Sequence, residues 1–193
     1  DHRDHRDHRD HRDRQGSSRY TQKEKTALKM NKDLVLEALN GAIDTVQLLL
    51  QKRADVNYHH PDWGNANALI CSVDKGHDGL AKLLLEHKAD VDAKNSSNLT
   101  PLMCSILSCH TGLAKLLLEH KADVNAKDKD NDTALICAAN RGHAGLTKLL
   151  LEYKADVNAK DKDNSTALLH SAHWGYAGVA KLLLEHKADV NAK

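Results

Sequence analysis

The chain has no phenylalanine, two tryptophans, two prolines and only 3% aromatic residues among its 193. Without large rings, a core must be built from thin layers of leucine, alanine and valine. Charge of one sign is missing as well. The 28 basic and 27 acidic residues nearly cancel, so nothing draws the chain electrostatically to nucleic acid or to a membrane surface. No apolar run approaches the roughly 18 residues that a membrane-crossing helix requires, and no secretory signal peptide is visible. The four cysteines contain no C-x-x-C pair and complete no four-ligand set, so no metal site is expected. Motifs of catalysis are absent too: there is no G-x-S-x-G, no phosphate-cradling glycine loop and no H-E-x-x-H. No catalytic residue and no cofactor are expected.

What is present is a repeat. From Asp62 onward the chain divides into four units of 33 residues, Asp62–Lys94, Asn95–Lys127, Asp128–Lys160 and Asp161–Lys193. Three of them close on AKLLLEHKADV, then Asn or Asp, then AK, and Asp128–Lys160 closes on TKLLLEYKADVNAK. A fixed period of this size marks a solenoid, in which each unit buries its apolar face only by stacking on its neighbours. Such a chain offers a long surface rather than an enclosed pocket.

Within a unit, Thr133-Ala134-Leu135-Ile136 opens a helix stopped by Gly142, and Thr100-Pro101 opens the equivalent one, with proline tolerated at a first helical position. Leu80, Leu83 and Leu84 make an i, i+3, i+4 stripe on a second helix, repeated by Leu113, Leu116 and Leu117. A polar stretch such as Asn125–Asp132 separates successive units. Cys71, Cys104 and Cys137 share one position on the first helix. Stacked helices lie about 8–10 Å apart, beyond the Cα separation of under roughly 7 Å that a disulfide needs, so these thiols are expected to be buried and free. Reduced thiols imply a cytoplasmic or nuclear location.

A degenerate unit, Leu34–Asn57, comes first. Its ADVN starts at Ala54 and the next ADVD at Ala89, 35 residues on, so two extra residues sit within Tyr58-His59-His60-Pro61. The repeat domain is expected over 31–193, with 31–61 as an N-terminal cap whose Lys32, Asp33, Glu37 and Gln47 suit a water-facing end. The last unit carries no such cap over Leu182-Leu183-Leu184, so further chain is expected beyond Lys193. Residues 1–30 are of another kind. Asp1–Asp13 is DHRDHRDHRDHRD, with nothing apolar to bury, and a disordered tail is expected. His2, His5, His8 and His11 would share a helix face, but nothing fixes the backbone. Gln15–Met30 reads as a linker, with at most a helical turn in KEKTALKM.

The unit DKDNDTALICAANRGHAGLTKLLLEYKADVNAK (Asp128–Lys160), with NLTPLMCSILSCHTGLAKLLLEHKADVNAK from Asn98 and NSTALLHSAHWGYAGVAKLLLEHKADVNAK from Asn164, resembles the ankyrin repeat. That family's pattern runs D-x-x-G-x-T-P-L-H-x-A-A-x-x-G-H, then a leucine-rich helix, then G-A-D-V-N-A. The resemblance covers Lys32 to Lys193. It implies an α-dominated solenoid of stacked helix-turn-helix units joined by β-hairpin loops, and for His77, His110 and His143 a role bonding backbone between loops. His170 and His173 read as a packing residue and a surface one. The chain departs from the pattern in three places. The hairpin glycine is Asn65, Asn98, Asn131 or Asn164, a residue that tolerates positive φ. The glycine that ends the second helix is Arg53, Lys88, Lys121, Lys154 or Lys187, where a left-handed backbone would cost about 1 kcal/mol each. The T-P-L-H signature loses its histidine in every unit.

The resemblance implies a non-catalytic scaffold that binds protein partners through its concave hairpin and inner-helix face. Carried over position by position, the contact residues are Trp63, Lys75, Leu99, Leu107, Asn140, Arg141, His173 and Trp174. Tryptophan and arginine are the usual anchors of interfaces. Two other readings follow from the family: a regulatory or substrate-recognition arm of a larger enzyme or ubiquitin-ligase adaptor, and a small-molecule or nucleotide sensor. The family also implies asparagine hydroxylation at Asn125, Asn158 and Asn191, each eight residues after a leucine.

Overall fold

The computed structural model describes residues 20–192. The DHR tail, with its four histidines, lies outside the described residues. Ten α-helices occur among them: α1 (Gln22–Asn40), α2 (Ile43–Gln51), α3 (Ala68–Asp74), α4 (Asp78–Glu86), α5 (Pro101–Leu107), α6 (Thr111–Glu119), α7 (Ala134–Asn140), α8 (Ala144–Glu152), α9 (Ala167–His173) and α10 (Ala177–Glu185). From α3 on, each unit supplies one short helix and one longer one. The short helix begins where Asn67, Thr100, Thr133 or Thr166 accepts a hydrogen bond from the backbone N–H three residues on, which satisfies one otherwise orphaned donor. The longer helix ends in a left-handed residue, as expected: φ is 65° at Arg53, 67° at Lys88, 66° at Lys121, 65° at Lys154 and 66° at Lys187. The Lys88 N–H bonds the Leu85 carbonyl and the Ala89 N–H bonds the Leu84 carbonyl, both at 3.0 Å. These two bonds form a Schellman closure that glycine normally makes.

Packing follows the alternation. Odd-numbered helices pack on odd-numbered ones and even on even, with the odd row closer together, because alanine, serine and cysteine line its contacts. A stack tighter along one row bends toward it, so the odd row and the turns before it form the concave side. Between the rows runs the leucine core, in which Leu84, Leu117, Leu150 and Leu183 are each fully buried. Cys71, Cys104 and Cys137 are buried and unbridged, and burial pushes their thiols up to about 11, 12 and 12. They pack as small apolar groups.

Two expectations need correction. The segment read as a linker is helical from Gln22, because Thr21 and Glu24 form a capping box in which each side chain receives the other's backbone N–H. The resulting 19-residue α1 replaces the missing hairpin and packs against both α2 and α3. The hairpins are also slighter than expected. Among the described residues they are tight turns, two of them closed by isolated bridges, His60 with Ala66 and Lys160 with Thr166. Asn65, Asn98, Asn131 and Asn164 do take positive φ there, 57–61°.

A side-chain ladder ties successive units. The Oδ1 of Asn57 accepts from the Asp90 N–H at 2.8 Å, Asp92 from Asp123 at 2.9 Å, Asn125 from Asp156 at 2.8 Å and Asn158 from Asp189 at 2.8 Å. Asp92 is the charged member. Burial pushes its carboxyl up, the Asp123 N–H draws it partly back, and the negative charges of Asp123 and Asp90 push it up again, for a net rise. A raised folded pKa means that folding disfavours the ionised form. The penalty is full above that pKa and gone below the ordinary value of 3.8. Asp92→Asn keeps the acceptor and removes the charge. It should raise the melting temperature by about 1–2 °C at neutral pH, with the gain fading as the pH falls toward 3.8. A gain just as large in strong acid would mean that charge is not its source.

Candidate protein-binding face

The concave face is built from two side chains at the end of each short helix, in register from unit to unit: Asp74 and Lys75, Leu107 and Ser108, Asn140 and Arg141, His173 and Trp174. In two of the pairs the second side chain reaches back to the first of the preceding unit. Ser108 Oγ donates to Asp74 Oδ1 at 3.2 Å, and Trp174 Nε1 donates to Asn140 Oδ1 at 2.7 Å. Arg141 holds the register of Ser108 and Trp174, but the corresponding residue of its preceding unit is Leu107, which offers no acceptor. Its guanidinium is exposed and engages no hydrogen bond or ion pair among the described residues. Trp174 is 56% exposed, and its ring stands edge-on to His173 at 5.0 Å. The bond to Asn140 therefore holds a large ring in the open.

The expected contact residues fall into two hollows. One is lined by Trp63, Leu99, Leu107 and Asp74, the other by Asn140, Leu169, His170, His173 and Trp174. Lys75 sits beside the first, its Nζ 3.0 Å from Asp74 Oδ2, and Arg141 neighbours the second. Trp63 belongs to a 3₁₀ turn, Pro61–Trp63, with its ring 6.0 Å from that of His60. It both braces the insertion and walls the hollow. Leu99 and Leu107, expected as contact residues, are half-buried because they lean on the core. They form the floor of the hollow rather than its rim. Asn125 and Asn158 have their amide oxygens occupied by the inter-unit ladder.

The in-register histidines divide in role. His77 Nε2 lies 3.1 Å from the Leu39 carbonyl, as the resemblance implied. The rings of His77, His110 and Tyr176 lie over Gly41, Gly76 and Gly142, within 3 Å of where a Cβ would stand. In the unit Asn95–Lys127 that glycine is Cys109, held at φ 59°, and His143 Nδ1 stands 3.8 Å from its Sγ.

One group escaped the reading of spacing. Asp132, Asp161 and His170 converge between the last two units, their nearest ligand-type atoms all within 4.8 Å of one another. His170 is not a mere packing residue: its Nε2 is 2.7 Å from Asp161 Oδ2. Burial pulls the Asp161 carboxyl up, but hydrogen bonds from His170, Ser165 and Asp163 together hold it below its ordinary value. Asp132, by contrast, is pushed up to about 6, by burial first and then by the charges of Asp128 and Asp161.

The family model for ankyrin repeats, in three copies, matches residues 34–128 and 122–193. The chain is an ankyrin-repeat protein. No match to an individual curated protein was found. The ankyrin stack has, among its described residues, no helix long and apolar enough to cross a membrane. Ankyrin repeats generally mediate protein–protein interactions.

Proposed function

We propose that this ankyrin stack is a non-catalytic scaffold that binds a protein partner through the concave face, in a compartment that keeps thiols reduced, with no nucleic acid or membrane engaged. The observation that carries the reading is the unpaired, exposed Arg141 beside a tryptophan held in the open by Asn140. Arginine and tryptophan are the side chains that most often anchor interfaces, at 2 kcal/mol or more each when buried by a partner. Neither is used by the fold to bury apolar area. The opposite face is unlike this: its exposed side chains repeat from unit to unit as Lys115 with Glu119, Lys148 with Glu152 and Lys181 with Glu185, weak i, i+4 pairs in water.

Photo-crosslinking tests the assignment. A photoreactive residue placed at Asn140 or Lys75 should capture the partner from cell extract, while one at Glu119 or Glu152 should not. Capture from the outer helices alone would place the partner on the convex side.

A further inference from the structure

We propose that Asp132, Asp161 and His170 form a site for a divalent transition-metal ion, with Zn²⁺ the ion it fits, bridging the units Asp128–Lys160 and Asp161–Lys193. Two carboxylate oxygens and one imidazole nitrogen lie within 4.8 Å of one another. Zinc takes nitrogen and oxygen ligands at about 2.0–2.2 Å and, in open sites, three protein ligands plus water. Tetrahedral ligands at that radius stand about 3.4 Å apart, so closing this set around an ion draws the widest pair in by up to about 1.4 Å and opens the 2.7 Å Asp161–His170 pair by about 0.7 Å. Imidazole with carboxylate favours zinc and its neighbours over magnesium or calcium, which prefer all-oxygen shells.

The parts of the site are unequal, and the inequality is informative. Asp161 is fixed: its Oδ1 accepts from the N–H groups of Asp163 and Ser165, both at 2.8 Å, leaving Oδ2 to His170. Asp161 with His170 alone would be an ordinary ion pair. Asp132 is what a plain ion pair leaves unexplained, since its half-buried carboxylate has no hydrogen-bond partner among the described residues and faces a second carboxylate. A cation between them turns that repulsion into attraction.

The repeat register makes the same point independently. The position of Asp132 is Ala66, Leu99 and Ser165 in the other units, and that of His170 is Cys71, Cys104 and Cys137. Only at the junction of the last two units does a carboxylate at the first position face an imidazole at the second. The site opens onto the hollow lined by Ser165, Leu169 and Trp174, which leaves room for a water as a further ligand. On binding, Nε2 of His170 gives its proton to solvent, or carries it on Nδ1 in the neutral tautomer.

The test must keep this site apart from the tail, where His2, His5, His8 and His11 are further imidazole groups. The full-length chain with His2→Ala, His5→Ala, His8→Ala and His11→Ala serves as the reference, titrated calorimetrically with zinc chloride near neutral pH. One equivalent should bind and raise the melting temperature. Asp132→Ala and His170→Ala should each weaken binding at least about tenfold and lose the thermal shift. Alanine already occupies the register of Asp132 at Ala66, so that variant keeps the fold, and its metal-free melt verifies this. A reference chain that binds no zinc, or affinity unchanged in both variants, would overturn the proposal.

Discussion

Leu118→Ala should destabilise the stack by about 2–5 kcal/mol, and Leu184→Ala, measured in a chain that stops at Lys193, by less than about 1 kcal/mol, although the two positions are equivalent in the repeat. The prediction turns on neighbours. Leu85, Leu118 and Leu151 are 6%, 4% and 7% exposed because each is covered by the following unit, whereas Leu184 is 48% exposed. Truncating a covered leucine loses the transfer free energy of the removed carbons and leaves a cavity that close-packed surroundings only partly fill. At Leu184 water already reaches the side chain, so little is lost. Urea melts of the two variants make the comparison. Equal destabilisation would mean that stability is not set by contacts between adjacent units.

Gly142→Ala should cost about 2–3 kcal/mol, combining left-handed strain of about 1–2 kcal/mol with displacement of a packed ring. Gly142 has φ +71°, and a Cβ there would lie 2.8 Å from the Tyr176 ring. That ring is half-buried and packs against the core, so it cannot swing aside freely. Gly145→Ala is the matched control. It sits in α8 with nothing within 4 Å of the added carbon, and alanine there should stabilise by up to about 1 kcal/mol. Thermal denaturation of the pair should therefore shift in opposite directions. A loss at both positions would mean that the ring over Gly142 is not what sets the cost.

Much of the architecture was legible because the units restate it. Leucines at i, i+3 and i+4, a threonine or asparagine before each short helix, and a cation in place of the closing glycine were each readable several times over. The N-terminal helix was not, because Thr21 and Glu24 signal a capping box once only, next to a tail without apolar residues. The candidate face was partly legible: the positions carried over from the family resemblance included Asn140, His173 and Trp174, which the fold brings together. It could not tell that Leu107 would be half-buried, or that its lack of an acceptor would leave Arg141 unpaired. Least legible was the Asp132, Asp161 and His170 cluster. Its members belong to two units and share no motif spacing, so only the stacking of one unit on the next joins them.

The central claim is that partners bind the concave face, and affinity measured on four single-site variants tests it most directly. By surface plasmon resonance with the crosslinked partner, Arg141→Ala and Trp174→Ala should each weaken binding at least about tenfold, or 1.4 kcal/mol. Glu119→Ala and His120→Ala, on and just after the exposed outer helix α6, should change it by a few tenths of a kcal/mol, roughly the effect of a rim residue. Melting temperatures measured alongside guard against a folding effect at Trp174. If Glu119→Ala and His120→Ala proved the more damaging in stably folded protein, the partner would sit on the convex side and the account would be contradicted.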